Sequence, residues 1–160
     1  MDKRELKIDY SSWSDSCPEG YEKLCREAIN ASLRAYSVYS HFSVGAAVLL
    51  ENGEVITGNN QENGAYPCGI CAERTALAYA GATRPGVRVK ALAIAATEEG
   101  VVRGEFVPPC GACRQVMMEV VRRYGKDFDV IMVGRMETVV IRASELLPFA
   151  FRLQRDADIH

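Results

Sequence analysis

Apolar residues recur at Tyr21, Leu24, Cys25, Ala28, Ile29, Leu33 and Tyr36, mostly three or four positions apart. That spacing predicts an amphipathic helix over about 18–36, with Pro18 near its entry. The period then changes. In "SVGAAVLLENGEVITGNN" an apolar run, the pair Asn52-Gly53 and a second β-rich run predict a hairpin. Residues 60–70 carry Asn, Glu, Gly and Pro and read as a loop, and alanine-rich 71–81 as a helix of small side chains stopped at Gly81. "VKALAIAAT" predicts a buried strand, followed by a loop rich in Gly and Pro. From Cys113, Val116, Met117, Val120, Val121 and Tyr124 mark a further core-facing helix, with Met118 at the edge of the stripe. "FDVIMVG" and "TVVIRA" read as strands, and "SELLPF" as a short terminal helix with Ser144 as N-cap. Strands alternating with helices predict an α/β sandwich around one mixed sheet. Residues 1–15 read as a loosely held arm.

Length adds that the 160 residues form one domain, large enough for a real core, with no repeat or linker to divide them. A net charge of −2 supplies no basic footprint for nucleic acid and suits a small, weakly charged substrate. The polar N-terminus lacks the apolar centre of a signal peptide, and no apolar run approaches the ~18 residues of a membrane span. The chain therefore reads as cytoplasmic, where cysteines stay reduced and paired spacing points to metal or redox chemistry.

Two Cys-x-x-Cys pairs stand out: Cys68 and Cys71 in "AYPCGICAERTA", Cys110 and Cys113 in "PPCGACRQ". Four thiolates would close a structural zinc site with no room for water. Residues 72–109 separate the pairs, well beyond the ~15–20 positions of common zinc ribbons, and they carry a helix and a strand instead of a short loop. Cys71 and the second pair fall where helices begin, and helix N-termini stabilise thiolates. Glu73 adds a group that a structural zinc has no use for. Two residues in a helix lie ~200° apart, so Cys71 and Glu73 serve one site only if the helix points its N-terminal end at it. A carboxylate so placed can shuttle protons beside a metal without being a ligand.

"CAERTA" with "PCGACRQ" resembles the cytidine deaminase family, in its small homotetrameric type with three cysteine ligands, and the likeness extends in order through "YSHFSVGAAV", "NQENGAYP" and "ELLPFAF". The resemblance implies a three-layer α/β/α sandwich around a mixed five-stranded sheet. It implies one Zn²⁺ per subunit held by Cys71, Cys110 and Cys113, a fourth position open to water, and Glu73 as proton shuttle in converting cytidine or 2′-deoxycytidine to the uridine product and ammonia. By the same resemblance Asn60 and Glu62 would bond the ribose hydroxyls, Phe42 would pack on the pyrimidine and Ala72 would offer its backbone to the base. Tyr66 and Phe151 would reach a neighbouring subunit's site in a tetramer with shared active sites. Arg74 and Arg114 would hydrogen-bond the thiolates and offset the charge of three sulfurs on one zinc.

Plainer readings stand beside these. Cys68 suits a partly buried thiol packing against its loop, and Cys17 and Cys25 suit structural packing. Cys110 and Cys113 alone fit a redox pair, and Asn60 and Glu62 alone a solvated loop. Phe42 fits the core, Phe151 a docked C-terminal aromatic, and His41 and His160 the surface. Two rival functions stay open: a four-cysteine structural zinc module that binds protein or RNA, and a deaminase of another aminated nucleoside, against which Asn60-x-Glu62 counts. Gly64 stands where the family commonly has alanine.

Overall fold

Large and small side chains alternate along residues 89–98, and this alternation builds the centre of the fold. The computed structural model describes residues 1–153, so His160 lies outside the described residues. The chain runs β1 (Tyr10–Ser14), α1 (Glu22–Ser32), β2 (Ser43–Leu50), β3 (Val55–Asn59), a 3₁₀ turn at Tyr66–Cys68, α2 (Ala72–Thr83), β4 (Val89–Glu98), β5 (Val101–Val102), α3 (Gly111–Tyr124), β6 (Asp129–Val133), β7 (Glu137–Arg142) and a 3₁₀ turn at Ala143–Leu146. One mixed sheet has the order β1-β7-β6-β4-β2-β3, with β5 paired to β4. Among the strands of the described residues, only β4 and β6 pair in parallel.

Leu92 and Ile94 of β4 pack with Ala76, Leu77, Met117 and Val120 of α2 and α3. Ala91, Ala93 and Ala95 face the other way, onto Leu24, Cys25 and Ala28 of α1. Three layers follow, as expected. Methyl-sized side chains let α1 sit close to the sheet, and at Gly45 it sits closer still: a Cβ there would lie 2.0 Å from the Ala28 carbonyl oxygen. Gly58 gives α2 the same approach, 2.6 Å from Ala76 N. Backbone cannot retreat as a flexible side chain would. Gly45→Ala is therefore expected to destabilise the chain by about 1–3 kcal/mol, read as a lower urea midpoint at unchanged slope.

Among the described residues the sheet has seven strands where five were expected. Residues Tyr10–Ser14, read as part of a loose arm, pair with β7 in the register Tyr10↔Ile141 to Ser14↔Glu137. This strand is almost wholly exposed and held by its backbone, so it carries no hydrophobic period. β5 is the return of a tight hairpin whose turn, Glu99-Gly100, takes φ of 51° and 80°, in a segment read as loop.

Helix α1 is shorter than its apolar pattern. Leu33 and Tyr36 are exposed, and Tyr36 instead forms a bridge with Gln61. Ser144 does not cap a helix either: its hydroxyl donates to Asp127 Oδ2 at 2.7 Å from inside the 3₁₀ turn. No helix among the described residues is long and apolar enough to cross a membrane.

Candidate active site

Helices α2 and α3 lie on the same face of the sheet and begin side by side. Cys71 is the N-cap residue of α2 and Cys110 that of α3, both in extended conformation, and Cys113 sits in the first turn of α3. The positive ends of both helix dipoles therefore meet at these sulfurs. Cys71 Sγ lies 3.9 Å from Cys110 Sγ, which lies 3.5 Å from Cys113 Sγ, and all three fall within 4.8 Å of one another. Tetrahedral zinc with Zn–S bonds of ~2.3 Å would hold its sulfurs about 3.8 Å apart, so the three thiols fit it. Cys68 is exposed, not partly buried, and stands outside this group.

The Cys71 thiol is held well below its ordinary range. Its bond with the Cys113 thiol, with further help from Arg74 and Cys110, holds it at about 5 against the lift of burial. The same bond, with burial, pushes Cys113 upward. Arg74 Nη2 stands 3.9 Å from Cys71 Sγ and 3.3 Å from the Gly69 carbonyl, which puts one cation beside the thiolate. Arg114 differs from the expectation. Its Nε donates to Pro109 O at 2.8 Å and its Nη1 to Leu146 O at 3.2 Å, so it ties the turn before Cys110 to the C-terminal 3₁₀ turn. Both of these bonds go to backbone carbonyls and neither to a thiol.

A cleft of about 300 Å³ opens onto the cluster, lined by Phe42, Asn60, Cys71, Ala72, Glu73 and Cys110 together with apolar Val44, Ile94, Val107 and Pro108. Three successive residues, Cys71, Ala72 and Glu73, share its wall. That is possible only because α2 points into the cleft end-on. Glu73 is 5% exposed, and burial raises its carboxyl above the ordinary range, helped by the nearby charge of Cys71. A buried acid that binds its proton more tightly is suited to accept and return one.

Asn60 fixes the strand beside the cleft: Oδ1 accepts from Val44 N at 2.7 Å and Nδ2 donates to Phe42 O at 2.9 Å. Glu62 lies on a second pocket, of about 310 Å³, with Tyr66, Tyr39 and Ser40. Its carboxylate accepts from the Ser40 hydroxyl and from the backbone N–H of Tyr39 at 2.8 Å, bonds that hold it below the usual carboxylate range. Tyr66 is 80% exposed and Phe151 is 71% exposed. Phe151 lines neither pocket; its backbone exchanges hydrogen bonds with the Gln115 side chain.

Three features escaped the sequence reading. The apolar wall of Val107 and Pro108 lies in a segment read only as connecting loop. Tyr39 and Ser40 hold Glu62 through a turn in which His41 takes φ 58°, a conformation that no periodicity signals. The guanidinium of Arg103 stands 5.5 Å from the ring centroid of Phe42.

A family model described as "Cytidine and deoxycytidylate deaminase zinc-binding region" matches residues 18–124. A protein of Halalkalibacterium halodurans named cytidine deaminase is 44% identical over 132 residues, 81% of this chain and 92% of its own length. One of the same name from Sporosarcina psychrophila is 44% identical over 131 residues, 81% and 90% of the two chains. Among solved structures, the cytidine deaminase of Burkholderia pseudomallei superposes with a TM-score of 0.70 at 36% identity, over 82% of this chain and 98% of that one. The Mycobacterium tuberculosis enzyme superposes with a TM-score of 0.66 at 35% identity, over 84% and 98%.

Proposed function

Since the chain belongs to the cytidine and deoxycytidylate deaminase family, we propose that it is a zinc-dependent hydrolase that converts free cytidine and 2′-deoxycytidine, with water, to uridine or 2′-deoxyuridine and ammonia. The place we assign it is pyrimidine salvage in the cytoplasm. The observation that carries this reading is one cleft bringing the buried Glu73 carboxyl up to clustered thiols at two helix N-termini.

Cys71, Cys110 and Cys113 hold the zinc, one per subunit, and the ion when bound supplies a Lewis acid that makes water a nucleophile near neutral pH. Three thiolates weaken that effect by their charge; Arg74 and the two helix ends offset it. Glu73 takes one proton from the attacking water and passes it to N3 of the cytosine ring as the water oxygen bonds to C4. It then takes the second proton of that oxygen and gives it to the amine, which leaves as ammonia when the C4–N bond breaks. The Ala72 backbone orients the base, and Phe42 packs on its face. Asn60 and Glu62 receive the ribose hydroxyls. Glu62 meets them as a carboxylate already oriented by Tyr39 and Ser40, so little ordering remains to be done on binding. Arg114 acts one step further out, by fixing the Pro109 carbonyl just before Cys110. Tyr66 and Phe151, exposed in one chain, suit the role of completing a neighbour's site in a homotetramer.

Incubating the purified protein with cytidine is expected to yield uridine and ammonia in equal amounts, with deoxycytidine accepted as well. A zinc-loaded protein that yields neither product would overturn the activity. In gel filtration the mass is expected near four times 17.6 kDa. A single-subunit mass would overturn the shared-site tetramer.

A further inference from the structure

Phe42 has two ring faces and a half-buried position, and its backbone alone does not decide where the ring points. The backbone is secured: Phe42 N donates to Ser40 Oγ at 3.0 Å and Phe42 O accepts from Asn60 Nδ2 at 2.9 Å. The guanidinium carbon of Arg103 stands over the ring at 5.5 Å from the centroid. Phe42 lines the cleft, and Arg103 does not. A face covered by a guanidinium is closed to a base, so the open face is the one left for the pyrimidine.

Arg103 is itself held from several sides. Its N–H donates to Ala96 O at 3.0 Å, and its carbonyl accepts from Arg135 N at 2.8 Å. Its Nη1 donates to Glu98 Oε2 at 2.7 Å, across the tight Glu99-Gly100 turn. The hairpin of β4 and β5 thus places a cation on the aromatic wall of the cleft and keeps it there.

We propose that Arg103 is a positioning residue for the reaction: by packing on Phe42 it holds the ring in the orientation that receives the substrate base. The inference rests on the deaminase reading of the cleft. The guanidinium is attracted by the negative face of the ring, and a ring ordered before binding spares the complex the loss of that freedom. Such a contact serves the bound substrate and the transition state alike, so it acts on KM and leaves kcat nearly unchanged.

The test compares the unaltered chain with Arg103→Gln and Arg103→Lys, each checked for zinc content. For cytidine, Arg103→Gln is expected to raise KM about two- to fivefold with kcat within about twofold, the scale of an exposed cation–π contact. Arg103→Lys, which keeps a cation, should recover most of that loss. An unchanged KM in the glutamine variant, or equal losses in both variants, would overturn the inference. A second readout needs no turnover: with 4-fluorophenylalanine at position 42, the ¹⁹F resonance should shift in Arg103→Gln and stay near its original place in Arg103→Lys. A resonance indifferent to residue 103 overturns the inference on its own. If the unaltered chain leaves cytidine intact, the activity is wrong, and the fluorine spectrum still decides whether Arg103 sets the ring.

Discussion

Glu73→Gln is expected to keep about one zinc per subunit while lowering cytidine turnover about 10²- to 10⁴-fold, the range that positioned proton transfer supplies. Glutamine has the shape of glutamate and fits the same buried place in the first turn of α2, but it cannot take a proton from water or return one to the base. The fold should tolerate the change. Burial penalises the charged form of Glu73, as its raised carboxyl pKa records, so a neutral amide removes a cost instead of creating one. Unfolding midpoint and zinc content measured beside kcat separate the possibilities. Turnover near that of the unaltered chain would remove Glu73 from the proton path. Loss of zinc would make it a ligand, contrary to its place outside the three-sulfur group.

The placement of Glu73 was legible because it depends on helix geometry. Cys71 and Glu73 can serve one site only on a helix seen end-on, and α2 presents Cys71, Ala72 and Glu73 to the cleft in just that way. The α/β sandwich was legible from strands alternating with helices, and its three layers came only through the family resemblance. In the fold Leu92 and Ile94 face one side of the sheet and Ala91, Ala93 and Ala95 the other. What escaped is held by backbone or by unusual dihedrals. β1 pairs through main-chain bonds while its side chains face solvent, so its sequence carries no period. The turn that aims Ser40 at Glu62 needs a left-handed His41, which L-residues adopt only in particular surroundings. The Arg103–Phe42 contact joins residues 61 positions apart through a hairpin whose return strand was read as loop. The bonds of Arg114 to the Pro109 and Leu146 carbonyls were not legible, because nearness in sequence to Cys113 says nothing of which acceptors its fork meets.

The second large effect concerns the four cysteines whose spacing suggested a closed site. Cys71→Ser is expected to lose zinc and bring cytidine turnover to background, whereas Cys68→Ser keeps about one zinc per subunit and most of its activity. Cys71 shares the sulfur group with Cys110 and Cys113, at the N-terminal end of α2 with Arg74 beside it. A serine hydroxyl there would have to ionise from a far higher pKa, and it is a harder donor than the thiolates that suit zinc. Cys68 sits exposed in the Tyr66–Cys68 turn, outside that group, so a serine takes its place in solvent. The pair of variants also tests function, because a site closed by four thiolates has no position at which water can be activated. Zinc analysis by mass spectrometry and a cytidine assay on both proteins decide the matter. Zinc lost from the Cys68 variant would return Cys68 to the ligand set, and the site would then be structural.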